Sequence, residues 1–182
     1  LESVTNKLQE SGSKITIKGN SITINPRELN AVNIITSPFP GFPTDLQAPF
    51  TALMTIANGE SKITETIFEN RMNHINLLKK MGANIKLDKN VAYIKGVKTI
   101  KGMDLVASDL RSSAALIIAG IIAKGSSKIY GLEHLDRGYE NFESKLKILG
   151  IKITRDSNKR SFNKKEYNIS QDSEEIQKCK AA

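Results

Sequence analysis

The sequence has little of several features that would assign a protein to a special class. It contains one cysteine in 182 residues, which excludes an intramolecular disulfide and suits a reducing cytosol. It has no run of 18 apolar residues, so no membrane-spanning helix is predicted, and its first residues lack the basic head and apolar stretch of a signal peptide. Gly-rich phosphate loops, HExxH and CxxC motifs are absent too. The sequence therefore predicts a cytoplasmic protein without a membrane partner.

Composition and charge narrow the class further. Apolar residues make up 39% of the sequence, which is enough for one domain to bury a core. The net charge of +8 could indicate a nucleic-acid partner. However, residues 151–182 alone carry eight Lys/Arg against five Asp/Glu, so part of the excess charge lies in a polar segment, and the rest is spread along the chain. Nucleic-acid binding is therefore the weaker interpretation, and it stays open as a non-catalytic alternative.

The sequence repeats itself with a period of roughly 64–70 residues. Asp45-Leu46-Gln47 corresponds to Asp109-Leu110-Arg111, and Glu69-Asn70-Arg71 corresponds to Leu135-Asp136-Arg137. Each unit is predicted to run helix, Gly turn, strand, arginine loop, helix, Gly turn and strands. Glycine suits the left-handed position after a helix, and this helix–glycine–strand pattern recurs at Gly12, Gly82 and Gly150.

Two kinds of helix are predicted within each unit. The segments Leu46 to Ala57 and Leu110 to Ala123 are apolar nearly all round, which predicts burial on most faces. The helices near His74–Met81 and Tyr139–Leu149 mix apolar and charged residues and should lie nearer solvent. Alternation typical of strands covers residues 15–24, 83–95 and 151–154. The pattern predicts an α/β domain over residues 1–155, with helices inside and sheets outside.

Beyond Arg155 the periodic pattern ends. Residues 156–182 are polar and mixed in charge, and we interpret them as an extension with a short helix around Glu174–Lys180. Cys179 lies in this segment without a matching motif, so it is not expected to be catalytic. Because the chain opens on Leu1 in mid-pattern, the sequence is expected to be a fragment of a longer protein.

One carboxylate and three arginines occupy corresponding parts of the repeats. Asp45 precedes an apolar helix, where it is typical of an N-cap. Arg111 lies just inside a helix start, where free N–H groups and the helix dipole favour anions, although a solvated helix arginine is the alternative. Arg71 and Arg137 lie in loops before helices, and guanidinium binds carboxylate and phosphate bidentately. This set suits a multiply anionic substrate.

The motifs around these residues resemble those of the enolpyruvyl transferases that act on UDP-N-acetylglucosamine. The resemblance implies βαβαββ units packed as an inside-out α/β barrel, of which this chain would hold two full units and part of a third. It runs almost without gaps from Leu1 to Arg155 and is carried by three strings, Pro40-Gly41-Phe42-Pro43-Thr44-Asp45-Leu46-Gln47-Ala48, Ile63-Thr64-Glu65-Thr66-Ile67-Phe68-Glu69-Asn70-Arg71 and Asp136-Arg137-Gly138-Tyr139-Glu140.

The resemblance implies a reaction and a set of residue roles. The enolpyruvyl group of phosphoenolpyruvate would pass to the 3-hydroxyl of UDP-N-acetylglucosamine with release of phosphate, the first committed step of peptidoglycan synthesis. Asp45 would accept the hydroxyl proton, while Arg111 and Arg137 would hold phosphoenolpyruvate. Arg71 would organise the same cleft, and Ile67 would contact the sugar nucleotide through its backbone. No metal or organic cofactor is implied.

The resemblance also implies a partner and leaves one enzymatic alternative. The family's cysteine loop and most of its uridine contacts belong to an N-terminal domain, so the isolated chain is expected to be inactive. The sister enzymes that make enolpyruvylshikimate phosphate share the fold and chemistry, but the strings Ile63–Arg71 and Asp136–Glu140 argue against them. His74 and His134 are not spaced as metal ligands, and no metal site is predicted.

Overall fold

The computed structural model describes residues 1–156 and 166–170, and every structural statement concerns these residues. Two short 3-10 helices span Thr44–Leu46 and Leu135–Arg137. In the described part of the chain no helix is long and apolar enough to cross a bilayer. The α-helices are α1 (Glu2–Glu10), α2 (Gln47–Met54), α3 (His74–Lys80), α4 (Leu110–Ile122) and α5 (Phe142–Ile148).

The strands form one hairpin and two four-stranded sheets. They are β1 (Lys14–Lys18), β2 (Ser21–Asn25), β3 (Ile34–Ile35), β4 (Glu60–Thr64), β5 (Asn84–Asp88), β6 (Val91–Lys95), β7 (Asp104–Val106), β8 (Ser126–Tyr130), β9 (Ile153–Asp156) and β10 (Glu166–Ser170). The sheets have the orders β3-β4-β6-β5 and β7-β8-β10-β9, and the hairpin pairs β1 with β2.

The two larger sheets have the same topology. In each, the first two strands are parallel, and the remaining pairs are antiparallel. A helix connects the parallel strands and a second helix follows, so each sheet belongs to one βαβαββ unit. The predicted repeat is confirmed as two units preceded by the helix and hairpin α1-β1-β2. The three glycines predicted after helices have left-handed φ angles of 108°, 97° and 83°, at Gly12, Gly82 and Gly150.

The helices differ in burial as their sequences predict. In α4 most residues are buried, including Leu116 and Ile117 with no exposed surface, and α2 is also buried along most of its length. In α3 the apolar residues Ile75 and Leu78 face the core, while α5 has no buried residue. The strands β4 and β6 alternate buried and exposed residues, so one face of their sheet covers the helices and the other faces solvent.

The structure corrects the predicted extension at one place. Residues 166–170 are not outside the repeats, because β10 lies between β8 and β9 and pairs antiparallel with both. Tyr167 and Ile169 point into the core and are almost fully buried. Polar residues flank this short strand, which hides its alternation. The helix predicted around Glu174–Lys180, and Cys179 within it, lie outside the described residues.

Candidate active site

The N-terminal ends of α2 and α4 meet at the predicted carboxylate and arginine. Asp45 lies in the 3-10 turn before α2, and Arg111 lies in the first turn of α4. The Arg111 Nε and Nη2 atoms lie 2.7 and 2.5 Å from the Asp45 Oδ1 atom. The Asp45 side chain is 68% exposed, which leaves it accessible to a ligand. An ion pair therefore joins the two units where sequence predicted an anion site.

The two aspartates that correspond in the repeat have different roles. The N-cap of α2 is Leu46, so Asp45 is not the helix cap that its local sequence suggested. Asp109, one period later, is the N-cap of α4 and accepts hydrogen bonds from the backbone N–H groups of Arg111 and Ser112. Hydrogen bonds from Ser112 lower the pKa of Asp109 against the opposing effect of its burial. The carboxylate of Asp45 is thus available for chemistry, whereas that of Asp109 is structural.

Arg71 is held beside Asp45. Its Nη1 atom donates to the Thr44 hydroxyl at 2.8 Å and lies 3.5 Å from the Asp45 Oδ1 atom. Its guanidinium carbon lies 3.7 Å from the centroid of the Phe68 ring, a cation–π contact. Burial and the neighbouring Arg111 lower the pKa of Arg71. The structure therefore brings together Asp45, Arg71 and Arg111.

Arg137 lies close to this group but does not join it. It ends the second 3-10 helix, is exposed, and its side chain makes no ion pair or hydrogen bond with the described residues. A Cβ atom on Gly138 would lie 3.0 Å from Leu110, so the loop packs on the start of α4. Burial and the charge of Asp45 raise the pKa of Tyr139. The packing of Gly138 on Leu110, the residue before Arg111, places the Arg137 loop at the border of the site.

Residues near Arg137 in the sequence are held in place by hydrogen bonds to strands β9 and β10. The Arg155 Nη2 atom donates to both carboxylate oxygens of Asp136, at 2.7 and 2.6 Å. The Tyr167 hydroxyl donates to Glu143 at 2.5 Å, and this bond is the main cause that lowers the pKa of Glu143. Strands β9 and β10 therefore anchor residues near Arg137, while its own side chain is exposed and has no partner among the described residues.

Ile67 lies in the loop after β4 and is half-buried, so it is neither a strand residue nor a fully buried one. Its backbone N–H donates to the Glu65 Oε1 atom at 2.8 Å. The backbone of Ile67 therefore lies beside the site, with its N–H group already bonded.

A cleft of about 260 Å³ separates the Arg71 loop from the start of α4, and Arg71, His74, Asp109, Arg111 and Ser112 are among the residues that line it. The guanidinium groups of Arg71 and Arg111 and the N-terminus of α4 favour an anion here, whereas the carboxylates of Glu69 and Asp109, which also line the cleft, oppose one. A larger depression of about 360 Å³ lies over the first sheet, away from these arginines. Among the described residues no cluster of three His, Cys, Asp or Glu side chains could hold a metal.

His74, one of the residues that line this cleft, has a strongly shifted pKa. It is 1% exposed, and burial lowers its pKa to about 4, which Asp109 only partly offsets. Because the unfolded chain takes up the proton first, the stability that neutral His74 contributes is present above about pH 6.5 and is lost towards pH 4. We expect His74→Leu to flatten this fall in the free energy of unfolding, measured by urea denaturation at several pH values.

The other histidine provides the control for this prediction. His134→Leu also removes one imidazole, so the difference between the two variants isolates the buried group. Asp109 and Glu143, whose pKa values are lowered, also lose stabilising charge in acid, but they do so equally in both variants. A His74→Leu protein with the same pH slope as the parent would contradict the prediction.

Sequence reasoning missed the residues that hold the site together. Glu65, 1% exposed, and Thr44 were quoted only as parts of motifs. The sequence did carry a signal for the burial of Glu65. Ser61, Ile63 and Glu65 are every second residue along β4 and the residue after it, and all three point inward. A carboxylate at an inward position requires hydrogen-bond donors around it.

Comparison with known proteins identifies the class to which this fold and site belong. A sequence profile of EPSP synthase (3-phosphoshikimate 1-carboxyvinyltransferase) matches residues 1–146. The chain belongs to the EPSP synthase family of enolpyruvyl transferases. Over all of its 182 residues it is 77% identical to the UDP-N-acetylglucosamine 1-carboxyvinyltransferase of Prochlorococcus marinus strain MIT 9312 and 75% identical to that of strain AS9601. It spans 40% of the length of each relative.

Solved structures confirm the predicted fold class. The enolpyruvyl transferase NikO from Streptomyces tendae matches with a TM-score of 0.75 at 23% identity, over 94% of this chain and 37% of that one. An EPSP synthase from Acinetobacter baumannii matches with a TM-score of 0.70 at 14% identity, over 93% and 39% of the two chains. At these identities the likeness concerns the fold, and the close curated relatives carry the resemblance to the UDP-N-acetylglucosamine enzymes.

Proposed function

We propose that this chain supplies the acceptor base and the anion-binding arginines of a UDP-N-acetylglucosamine 1-carboxyvinyltransferase. The observation that carries the proposal is the exposed carboxylate of Asp45, held by Arg111 and Arg71, two arginines that also line the cleft at the start of α4. The 77% identity to a relative of that name supports the choice of acceptor over shikimate phosphate. The N-terminal part that the relatives have is the partner that completes the site.

Asp45 acts on the acceptor hydroxyl. Its contacts with both arginines fall on Oδ1, and Oδ2 has no hydrogen-bonding partner among the described residues. Oδ2 accepts the proton of the sugar 3-hydroxyl while that oxygen bonds to C2 of phosphoenolpyruvate and an acid of the N-terminal part donates a proton to C3. Loss of phosphate from C2 and return of a C3 proton to that group then restore the double bond. Positioning of the carboxylate supplies much of the rate gain.

The arginines act on the donor. Phosphoenolpyruvate carries a carboxylate and a phosphate, and fixed guanidinium groups stabilise the charge that develops as phosphate leaves. Arg111 is shared between Asp45 and the donor, and the unpaired side chain of Arg137 takes up the remaining anionic group. Arg71 supports Asp45. Since the N–H of Ile67 is bonded to Glu65, a backbone contact of Ile67 with the sugar nucleotide uses its carbonyl.

The test is a hybrid enzyme. The 182-residue chain replaces the matching 40% of the strain MIT 9312 relative, and phosphate release is followed with both substrates. We expect the hybrid to be active with UDP-N-acetylglucosamine and inactive with shikimate 3-phosphate as the acceptor. The 182-residue chain alone is expected to be silent, because it lacks the partner's groups.

Three results would reject this proposal. One is a folded hybrid that binds neither substrate, and another is turnover with shikimate 3-phosphate instead of the sugar nucleotide. A third is turnover by the isolated chain, which would reject the division of the site between two parts. Binding of RNA that weakens steeply with salt, in place of transfer activity, would favour the nucleic-acid-binding alternative.

A further inference from the structure

Glu65 is a buried carboxylate that lies behind the site rather than in it. It follows β4 directly and is 1% exposed. Its Oε1 atom accepts hydrogen bonds from the Thr36 hydroxyl at 2.9 Å and from the N–H groups of Ile67 at 2.8 Å and Phe68 at 3.2 Å. Its Oε2 atom accepts from the Thr44 hydroxyl at 2.7 Å. The carboxylate therefore joins the end of β3, the turn of Asp45 and the loop of Arg71.

Thr44 links the Glu65 carboxylate to the guanidinium group of Arg71 in the site. A carboxylate only accepts hydrogen bonds, a guanidinium only donates them, and a hydroxyl does both. Thr44 donates to Glu65 and accepts from Arg71 Nη1 at 2.8 Å, so the direction of each bond in the chain is fixed. Arg71 in turn lies 3.5 Å from Asp45, which bonds to Arg111. Two hydrogen bonds and one ion-pair contact thus connect the buried carboxylate to the ion pair of Asp45 and Arg111.

The second unit shows that the fold does not require this carboxylate. Gly131 follows β8 as Glu65 follows β4, and Ala107 follows β7 as Thr36 follows β3. The backbone bond that Thr36 donates to Thr64, at 3.0 Å, has its counterpart from Ala107 to Tyr130 at 2.9 Å. Gly131, with a φ of 82°, packs so tightly that a Cβ atom would lie 2.5 Å from the Ala107 oxygen. The same backbone junction therefore closes without either polar side chain.

We propose that Glu65, acting through Thr44, is a positioning residue that fixes Arg71 and Asp45 for the reaction. The proposal rests on the proposed function, because it assumes the reaction in which Asp45 and Arg71 act. The placement of Arg71 that it predicts can be tested without catalysis. Neither Glu65 nor Thr44 needs to touch a substrate. The hydroxyl of Thr44 is required. Valine has nearly the same shape but no hydroxyl, so at this position it would remove both the bond to Glu65 and the bond from Arg71.

The first test uses nuclear magnetic resonance on the 182-residue chain. Arg71 lies over the Phe68 ring, whose ring current shifts the Arg71 Nε–Hε signal, identified by its absence in Arg71→Lys. We expect Thr44→Val to move this signal towards the positions of solvated arginines, and Thr44→Ser to keep it. Glu65→Gln should move it too, because the amide reverses the bond to Thr44. Thr55→Val is the control, since Thr55 is fully buried and its hydroxyl donates only to the Ala52 carbonyl.

The second test uses the hybrid enzyme. A misplaced catalytic group lowers kcat, so Thr44→Val should lower kcat by up to about 100-fold, with a smaller change in KM. Thr44→Ser should recover most of the loss, and Thr55→Val should leave kcat unchanged. A loss of kcat that Ser does not rescue, or that Thr55→Val reproduces, would mean a purely structural role and overturn the inference.

The two tests separate the inference from the proposed function. If the parent hybrid binds neither substrate, the proposed function fails, while the Arg71 signal of the 182-residue chain still decides whether Glu65 and Thr44 position the arginine. An Arg71 signal that is unchanged in both Thr44→Val and Glu65→Gln would overturn the inference, whatever the hybrid does. A moved signal in both variants, restored in Thr44→Ser, supports it.

Discussion

Replacing Asp45 by asparagine is expected to lower kcat of the hybrid enzyme by about 10²–10⁴-fold, the usual range for loss of a general base. Asparagine keeps the shape of the side chain and can still accept a hydrogen bond from Arg111, but it cannot take up the proton of the acceptor hydroxyl. Because the side chain is 68% exposed, the fold should not change. Steady-state phosphate release with both substrates measures the effect.

A matched variant separates this effect from a general loss of charge. Asp88 is an exposed carboxylate on β5, so Asp88→Asn should leave kcat as in the parent. Substrate affinity of Asp45→Asn, measured by calorimetry without turnover, should change far less than kcat. Equal activities of the Asp45→Asn and Asp88→Asn hybrids would remove Asp45 from the mechanism.

Replacing Tyr167 by alanine is expected to destabilise the 182-residue chain by about 3–5 kcal/mol, as for other buried aromatic residues. Tyr167 has no exposed surface, and it is the largest inward side chain of β10. Its truncation leaves a cavity beneath the second sheet and removes the hydroxyl that donates to Glu143. Urea denaturation followed by circular dichroism measures the free energy of unfolding.

An exposed tyrosine provides the comparison. Tyr93 on the outer face of β6 is 43% exposed, so Tyr93→Ala should destabilise the chain much less. Tyr167→Phe should fall between Tyr167→Ala and the parent, because it keeps the ring and loses only the hydroxyl. If Tyr167→Ala and Tyr93→Ala were equally stable, β10 would not belong to the core.

Local sequence was sufficient for the parts of the fold that depend on local pattern. The apolar surface of α2 and α4 predicts their burial, because such helices have no polar face to turn to solvent. The repeat predicts that Arg71 and Arg137 occupy corresponding loops, and the structure agrees. The sequence therefore singled out Asp45, Arg71 and Arg111, which the structure brings together, but it did not predict the contacts between them.

The missed features depend on segments far apart in sequence. Asp45 and Asp109 begin the same Asp-Leu pattern, yet only Asp109 caps a helix, because the 3-10 turn moves Asp45 out of the N-cap position towards Arg111. Glu65 is tolerated in the core only because donors from three separate segments surround it. Neither arrangement has a signature within a short window of sequence.

The longer connection before the last strand of the second unit has a consequence for how the chain folds during synthesis. In the first unit β5 and β6 are joined by two residues, so the sheet can close as soon as that hairpin leaves the ribosome. In the second unit β10 must insert between β8 and β9, and residues 157–165 separate it from β9. Until Ser170 is translated, β8 and β9 each have an unpaired edge, which invites pairing with other chains. The second unit therefore keeps these strand edges unpaired for longer during synthesis than the first.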